Sequence, residues 1–146
     1  MTLNFNNLKC KETASQILGK FIKRLNSNLF GKRSKKAIRC VPSIERHLSG
    51  CCHVHIAIDD PASRLSEGAG KEFSEGELKE LIRITWEEVD SRTASIRKSC
   101  PDGKSWFKRV DDKDGVLGYI SKQISFIEQD AVQWGLFNSD GRRFDF

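Results

Sequence analysis

The chain has 146 residues, 38% hydrophobic and 31% charged, with a formal net charge of +5. That length suits a single domain with a real core and no need of disulfides, and the composition reads as soluble and globular rather than disordered or fibrous. No apolar run approaches the roughly 18 residues of a membrane helix, and the opening MTLNFNNLKCKE holds no secretory signal, so the expectation is a cytoplasmic protein with no membrane partner.

In chain order, residues 2–6 alternate apolar and polar side chains as a short strand does. Thr13 and Gln16 have the spacing of a capping box. Ile17, Leu18, Phe21, Ile22, Leu25 and Leu29 follow at helical intervals, which predicts a long first helix ending near Phe30. Residues 37–46 and 51–59 read as two strands of a hairpin. If Gly50 takes the left-handed conformation of a three-residue loop, Arg46 faces Cys52 and Glu45 faces His53. Pro42 inside the first of these strands points to an edge or a bulge. Residues 62–73 are polar and glycine-containing and read as a loop. Ser74 and Glu77 form a second capping box. It opens a helix whose apolar stripe is Leu78, Leu81, Ile82, Trp86 and Val89. Residues 100–103 suggest a turn, residues 105–110 a strand, and a final helix starts near Asp114. The expected order is βαββαβα: an α+β domain over residues 1–146, with helices packed on a central antiparallel sheet.

Charge is unevenly spread. No acidic residue occurs in residues 13–44, while Lys20, Lys23, Arg24, Lys32, Arg33, Lys35, Lys36 and Arg39 all do. A block of this kind can neutralise phosphates, so these eight are the candidate DNA-binding residues. A solvated helix face followed by a basic turn is the plainer account of the same residues.

Chemistry concentrates in two places. In His53-Val54-His55 the strand period sends Cys52, Val54, Ile56 and Ile58 to one face and both imidazoles to the other. Two neutral imidazoles side by side suit a divalent metal, and the chain has three histidines in all. A zinc site from Cys51, Cys52, His53 and His55 is disfavoured because structural zinc pairs use wider spacing. The five cysteines are odd in number and show no C-x-x-C, which also speaks against a disulfide framework. The second place is Gly118-Tyr119-Ile120-Ser121-Lys122-Gln123, which holds the one tyrosine of the chain. On a helix, Lys122 and Gln123 share the face of Tyr119, and a phenol needs such a nearby cation or metal to act as a nucleophile. Alone, this motif reads more simply as a boundary tyrosine with a solvated lysine; it gains chemical weight beside the H-x-H strand.

Together, IERHLSGCCHVHIAIDDP and GYISKQI, preceded by the strand TLNFN, resemble the HUH endonucleases, which include rolling-circle replication initiators of plasmids, phages and satellites. The resemblance implies Mg²⁺ or Mn²⁺ on His53, His55 and a third side chain. It also implies Tyr119 as the nucleophile that forms a 5′-phosphotyrosine, with Lys122 helping electrostatically. Glu45 fits the replication-initiator pattern for the third ligand. Gln123 fits the single-tyrosine transposases of the insertion-sequence type and is the alternative. The implied partners are single-stranded DNA at an origin, next to a hairpin, and a host helicase and polymerase, since no phosphate-binding G-x-x-x-x-G-K-[ST] occurs. The implied setting is the cytoplasm of a bacterial host, with the gene on a plasmid, phage or satellite. A non-catalytic autoregulatory DNA-binding protein is the remaining alternative.

Overall fold

The computed structural model describes residues 1–6, 10–46, 50–65, 73–92, 94–96, 105–110 and 132–142. Outside them lie the expected hairpin turn at residues 47–49, the turn at residues 100–103, and the final helix with Tyr119, Lys122 and Gln123.

The chain is α+β. Strand β1 (Thr2–Phe5) leads into helix α1 (Lys11–Phe30), then the hairpin of β2 (Cys40–Arg46) and β3 (Cys52–Ile58). A short turn of helix, α2 (Ala62–Leu65), precedes α3 (Glu75–Val89) and strand β4 (Ala94–Ser95). The four strands form one antiparallel sheet in the order β2-β3-β1-β4. Among the described residues, no helix is long and apolar enough to cross a membrane.

The hairpin has the expected register. Arg46 pairs with Cys52 and Glu45 with His53, and Gly50 is left-handed at φ 79°. A side chain there would be strained, so the glycine fixes the loop and, through it, which residues face each other. Pro42 does lie on an outer strand. Its carbonyl accepts from Gln133 N–H at 3.0 Å, so its missing N–H falls on the side away from β3. Residues 132–138 cover that side, with Val132 opposite Ser43 and Asn138 opposite Cys40.

Three local expectations need correction. Helix α1 begins at Lys11 with Cys10 as its cap, and the Cys10 side chain bonds none of its free amides. The Thr13–Gln16 capping box is therefore unused, because Lys11 and Glu12 are good helix formers and Glu12 suits the positive end of the helix. Residues 62–65 are helical rather than loop: Asp60 Oδ1 accepts from Ala62 N–H at 2.9 Å and Pro61 O accepts from Leu65 N–H at 3.0 Å. Residues 105–110 are not a strand. Trp106 O accepts from Thr2 N–H at 2.7 Å, but these residues form no ladder with the described strands, and the fourth described strand is Ala94–Ser95. By contrast, the Ser74–Glu77 capping box is complete.

Both long helices pack on one sheet face. Ile17, Leu18, Phe21 and Leu25 of α1 and Ile82 and Trp86 of α3 meet Leu3, Phe5, Ile44, Val54 and Ile56 in one buried cluster. Trp86 is fully buried and lies edge-on to Phe5 at 5.0 Å and to Phe21 at 5.3 Å. Its indole N–H is shared between Asn4 O at 3.2 Å and Ser95 O at 3.0 Å, so it ties β1 to β4. Trp86→Ala should cost about 3–5 kcal/mol of unfolding free energy through the lost ring and the cavity it leaves. Urea unfolding of the two proteins measures it.

Candidate metal centre

The opposite sheet face carries the polar residues. Strand alternation forces this: with Cys52, Val54 and Ile56 in the core, His53 and His55 must project from the other side. β3 lies between β1 and β2, so each histidine has a neighbour on both flanks. His53 lies between Asn4 and Glu45, and His55 between Thr2 and Ser43.

Glu45 reaches both rings. Its Oε2 is 3.3 Å from His53 Nε2 and 3.5 Å from His55 Nε2, and the rings stand nearly perpendicular at 87° with centroids 4.8 Å apart. On the far side of His55, Nδ1 is 3.0 Å from Thr2 Oγ1. The three side chains are only 16–20% exposed. Burial alone would raise the Glu45 carboxyl, but hydrogen bonds from His53 and His55 outweigh it and hold the group at about 2. The other oxygen, Glu45 Oε1, is buried and has no hydrogen-bond partner among the described residues.

This arrangement fits a divalent cation. Two imidazole nitrogens and a carboxylate oxygen lie within 4.8 Å of one another, the one such group of three among the described residues. Ligand atoms about 2.1 Å from an ion lie about 3.0–3.4 Å apart at octahedral or tetrahedral angles, close to the Glu45–histidine separations. A buried carboxylate oxygen left unpaired is costly, and a cation is the partner its charge calls for. The zinc alternative fails on geometry, because Cys52 belongs to the core on the other face.

Without an ion, the depressed Glu45 carboxyl has a consequence for acid stability. Its folded value of about 2 lies below the ordinary 4.5, so its contribution is present in full above 4.5 and is lost as pH falls through about 2. The stability gap between wild type and Glu45→Gln should therefore close across that window in metal-free buffer. A gap that stays constant would show that the histidine bonds do not hold the charge.

The candidate DNA-binding residues lie elsewhere. Lys20, Lys23 and Arg24 are on the exposed side of α1, the helix packed on the face opposite the histidines. Arg24 pairs with Glu88 at 2.8 Å. Lys32, Arg33, Lys35 and Arg39 are exposed in the connection to β2, and Lys36, half-buried there, pairs its backbone with Arg142. The structure thus brings Glu45, His53 and His55 together and sets the basic block apart from them. Tyr119, Lys122 and Gln123 lie outside the described residues. Thr2 was missed as a site residue, although the alternation of residues 2–6 already put it on the polar face of a strand. Comparison with protein-family models, curated proteins and solved structures gives no match for this chain.

Proposed function

We propose that this protein is a metal-dependent single-stranded DNA endonuclease and strand transferase of the HUH type, one that starts rolling-circle replication through a phosphotyrosine at Tyr119. The carrying observation is the Glu45–His53–His55 cluster on the sheet face opposite the core. The Tyr119-x-x-Lys122 sequence supplies the remaining chemistry. His53, His55 and Glu45 would hold the cation. Two nitrogens and one oxygen suit Mn²⁺ better than Mg²⁺, which prefers all-oxygen surroundings. Such an ion withdraws charge from the phosphate oxygens and fixes their geometry.

Tyr119 would attack phosphorus through its phenol oxygen. The phenol gives up its proton as the bond to the deoxyribose 3′-oxygen breaks, that oxygen takes up a proton, and Lys122 would offset the charge near the reacting phosphate. The phosphotyrosine keeps the phosphodiester energy, so a later 3′-hydroxyl reverses the step and rejoins strands. The end of the tyrosine segment supports this reading. Val132 pairs with Ser43, which itself pairs with His55. Tyr119 lies thirteen residues before Val132 in the sequence. The presence of Glu45 beside both histidines favours the replication-initiator arrangement over one with Gln123 as third ligand. The test is a denaturing gel of the protein incubated with Mn²⁺ and single-stranded DNA from its own element's origin. A covalent adduct is expected, and its absence across divalent ions and origin strands would overturn the reading.

The basic block would hold DNA away from the reacting phosphate. Glu45 is five residues along β2 from Cys40, about 17 Å at 3.3 Å per residue, so a strand bound at residues 32–39 would pass round the sheet to reach it. Replacing Lys32, Arg33, Lys35 and Lys36 with alanine should weaken single-strand binding at every sequence and flatten its salt dependence by about 0.7 per lost phosphate contact. Affinities at several salt concentrations decide it, and an unchanged slope would move the DNA path elsewhere.

A further inference from the structure

We infer that Thr2 is a positioning residue for His55: its hydroxyl orients the ring and accepts a hydrogen bond from Nδ1–H when a divalent cation sits on Nε2. The inference rests on the metal reading of the Glu45–His53–His55 cluster.

The argument begins with which ring nitrogen faces what. His55 Nε2 points at Glu45 Oε2, 3.5 Å away, and Nδ1 points at Thr2 Oγ1, 3.0 Å away. In the tautomer that carries its proton on Nε2, that N–H faces the carboxylate and Nδ1 is left as an acceptor. The Thr2 O–H then donates to it. A cation on Nε2 needs the lone pair there, so the ring proton must move to Nδ1. Thr2 Oγ1 then accepts from Nδ1–H. A hydroxyl is the small side chain that does both, since it carries one donor and two acceptor lone pairs. A carboxylate could only accept, and an ammonium could only donate.

Backbone bonds fix where that hydroxyl sits. Thr2 N–H donates to Trp106 O at 2.7 Å, and Ile56 N–H donates to Met1 O at 3.0 Å. Thr2 is paired with His55 across β1 and β3, with Leu3–Val54 as the next rung. The hydroxyl therefore meets a ring that strand register has already brought to the same face. The first strand thus has two jobs: Leu3 and Phe5 enter the core, and Thr2 steadies a metal ligand.

The test compares wild type, Thr2→Val, Thr2→Ala and Thr2→Ser, with Mn²⁺ as the titrant in calorimetry. Valine keeps the shape and the strand preference but removes the hydroxyl, while serine restores it. Thr2→Val and Thr2→Ala should bind Mn²⁺ about 10–100-fold more weakly, and Thr2→Ser should recover most of the loss. Imidazole nitrogen shifts of the metal-free proteins give a second readout. The Nε2–H tautomer of His55 should lose population in the valine and alanine variants and regain it in the serine variant, a change that a merely structural role would not produce. Wild type that binds Mn²⁺ together with variants of equal affinity overturns this inference alone. Wild type that binds no Mn²⁺ overturns the metal reading and this inference with it.

Discussion

Tyr119→Phe is expected to form no detectable covalent adduct with origin DNA while binding single strands nearly as wild type does. In the proposed mechanism the phenol oxygen bonds to phosphorus, and phenylalanine keeps the ring but not the oxygen. Loss of a nucleophile costs on the order of 10⁶ in kcat in a serine hydrolase, far below what a gel registers. Affinity for the strand should persist, because it comes chiefly from lysine and arginine at phosphates. The same protein should still bind Mn²⁺, since Glu45, His53 and His55 are untouched. Retention of the adduct by Tyr119→Phe would remove the proposed mechanism.

His53→Ala and His55→Ala should each lose Mn²⁺ binding and adduct formation together. Each removes one of three candidate ligand atoms, so the loss should exceed the roughly 10–100-fold seen for an outer-shell partner. Glu45→Ala should behave alike, with one difference in cause. It also leaves two half-buried imidazoles without the carboxylate that both of them face. Gln123→Ala provides the control that separates the two candidate third ligands. Calorimetry on the four variants, with adduct yield in EDTA and in Mn²⁺ alongside, reads both effects. If Gln123→Ala weakens Mn²⁺ binding more than Glu45→Ala, the third ligand is the glutamine. Adduct yield indifferent to EDTA would sever the cluster from the chemistry.

The legible parts of this chain were those set by short-range rules. The two-residue period of β3 assigned His53 and His55 to the polar face, and Gly50 fixed the loop that puts Glu45 opposite His53. The helix α3 start was readable because Ser74 and Glu77 satisfy each other's backbone amides locally. What failed depended on tertiary partners. Ala94–Ser95 is too short to show any period; Trp86 identifies it as part of the sheet by bonding Ser95 O. Residues 105–110 carry strand-forming Trp106 and Phe107, but those side chains pack against the core without a ladder of backbone bonds. Thr2 was readable as a strand residue but not as a neighbour of His55, because the β1–β3 pairing joins residues 53 apart.

The covering of β2 by residues 132–138 also bears on how copies of this protein meet. A bare outer strand recruits a strand from another molecule. Here Cys40 exchanges both backbone bonds with Asn138, and the Pro42 carbonyl is taken by Gln133. A second copy could join β2 only by prising this segment off and breaking those bonds. Among the described residues, growth of the sheet from molecule to molecule along Cys40–Ser43 of β2 is thus blocked, which favours copies of the protein staying apart at high concentration.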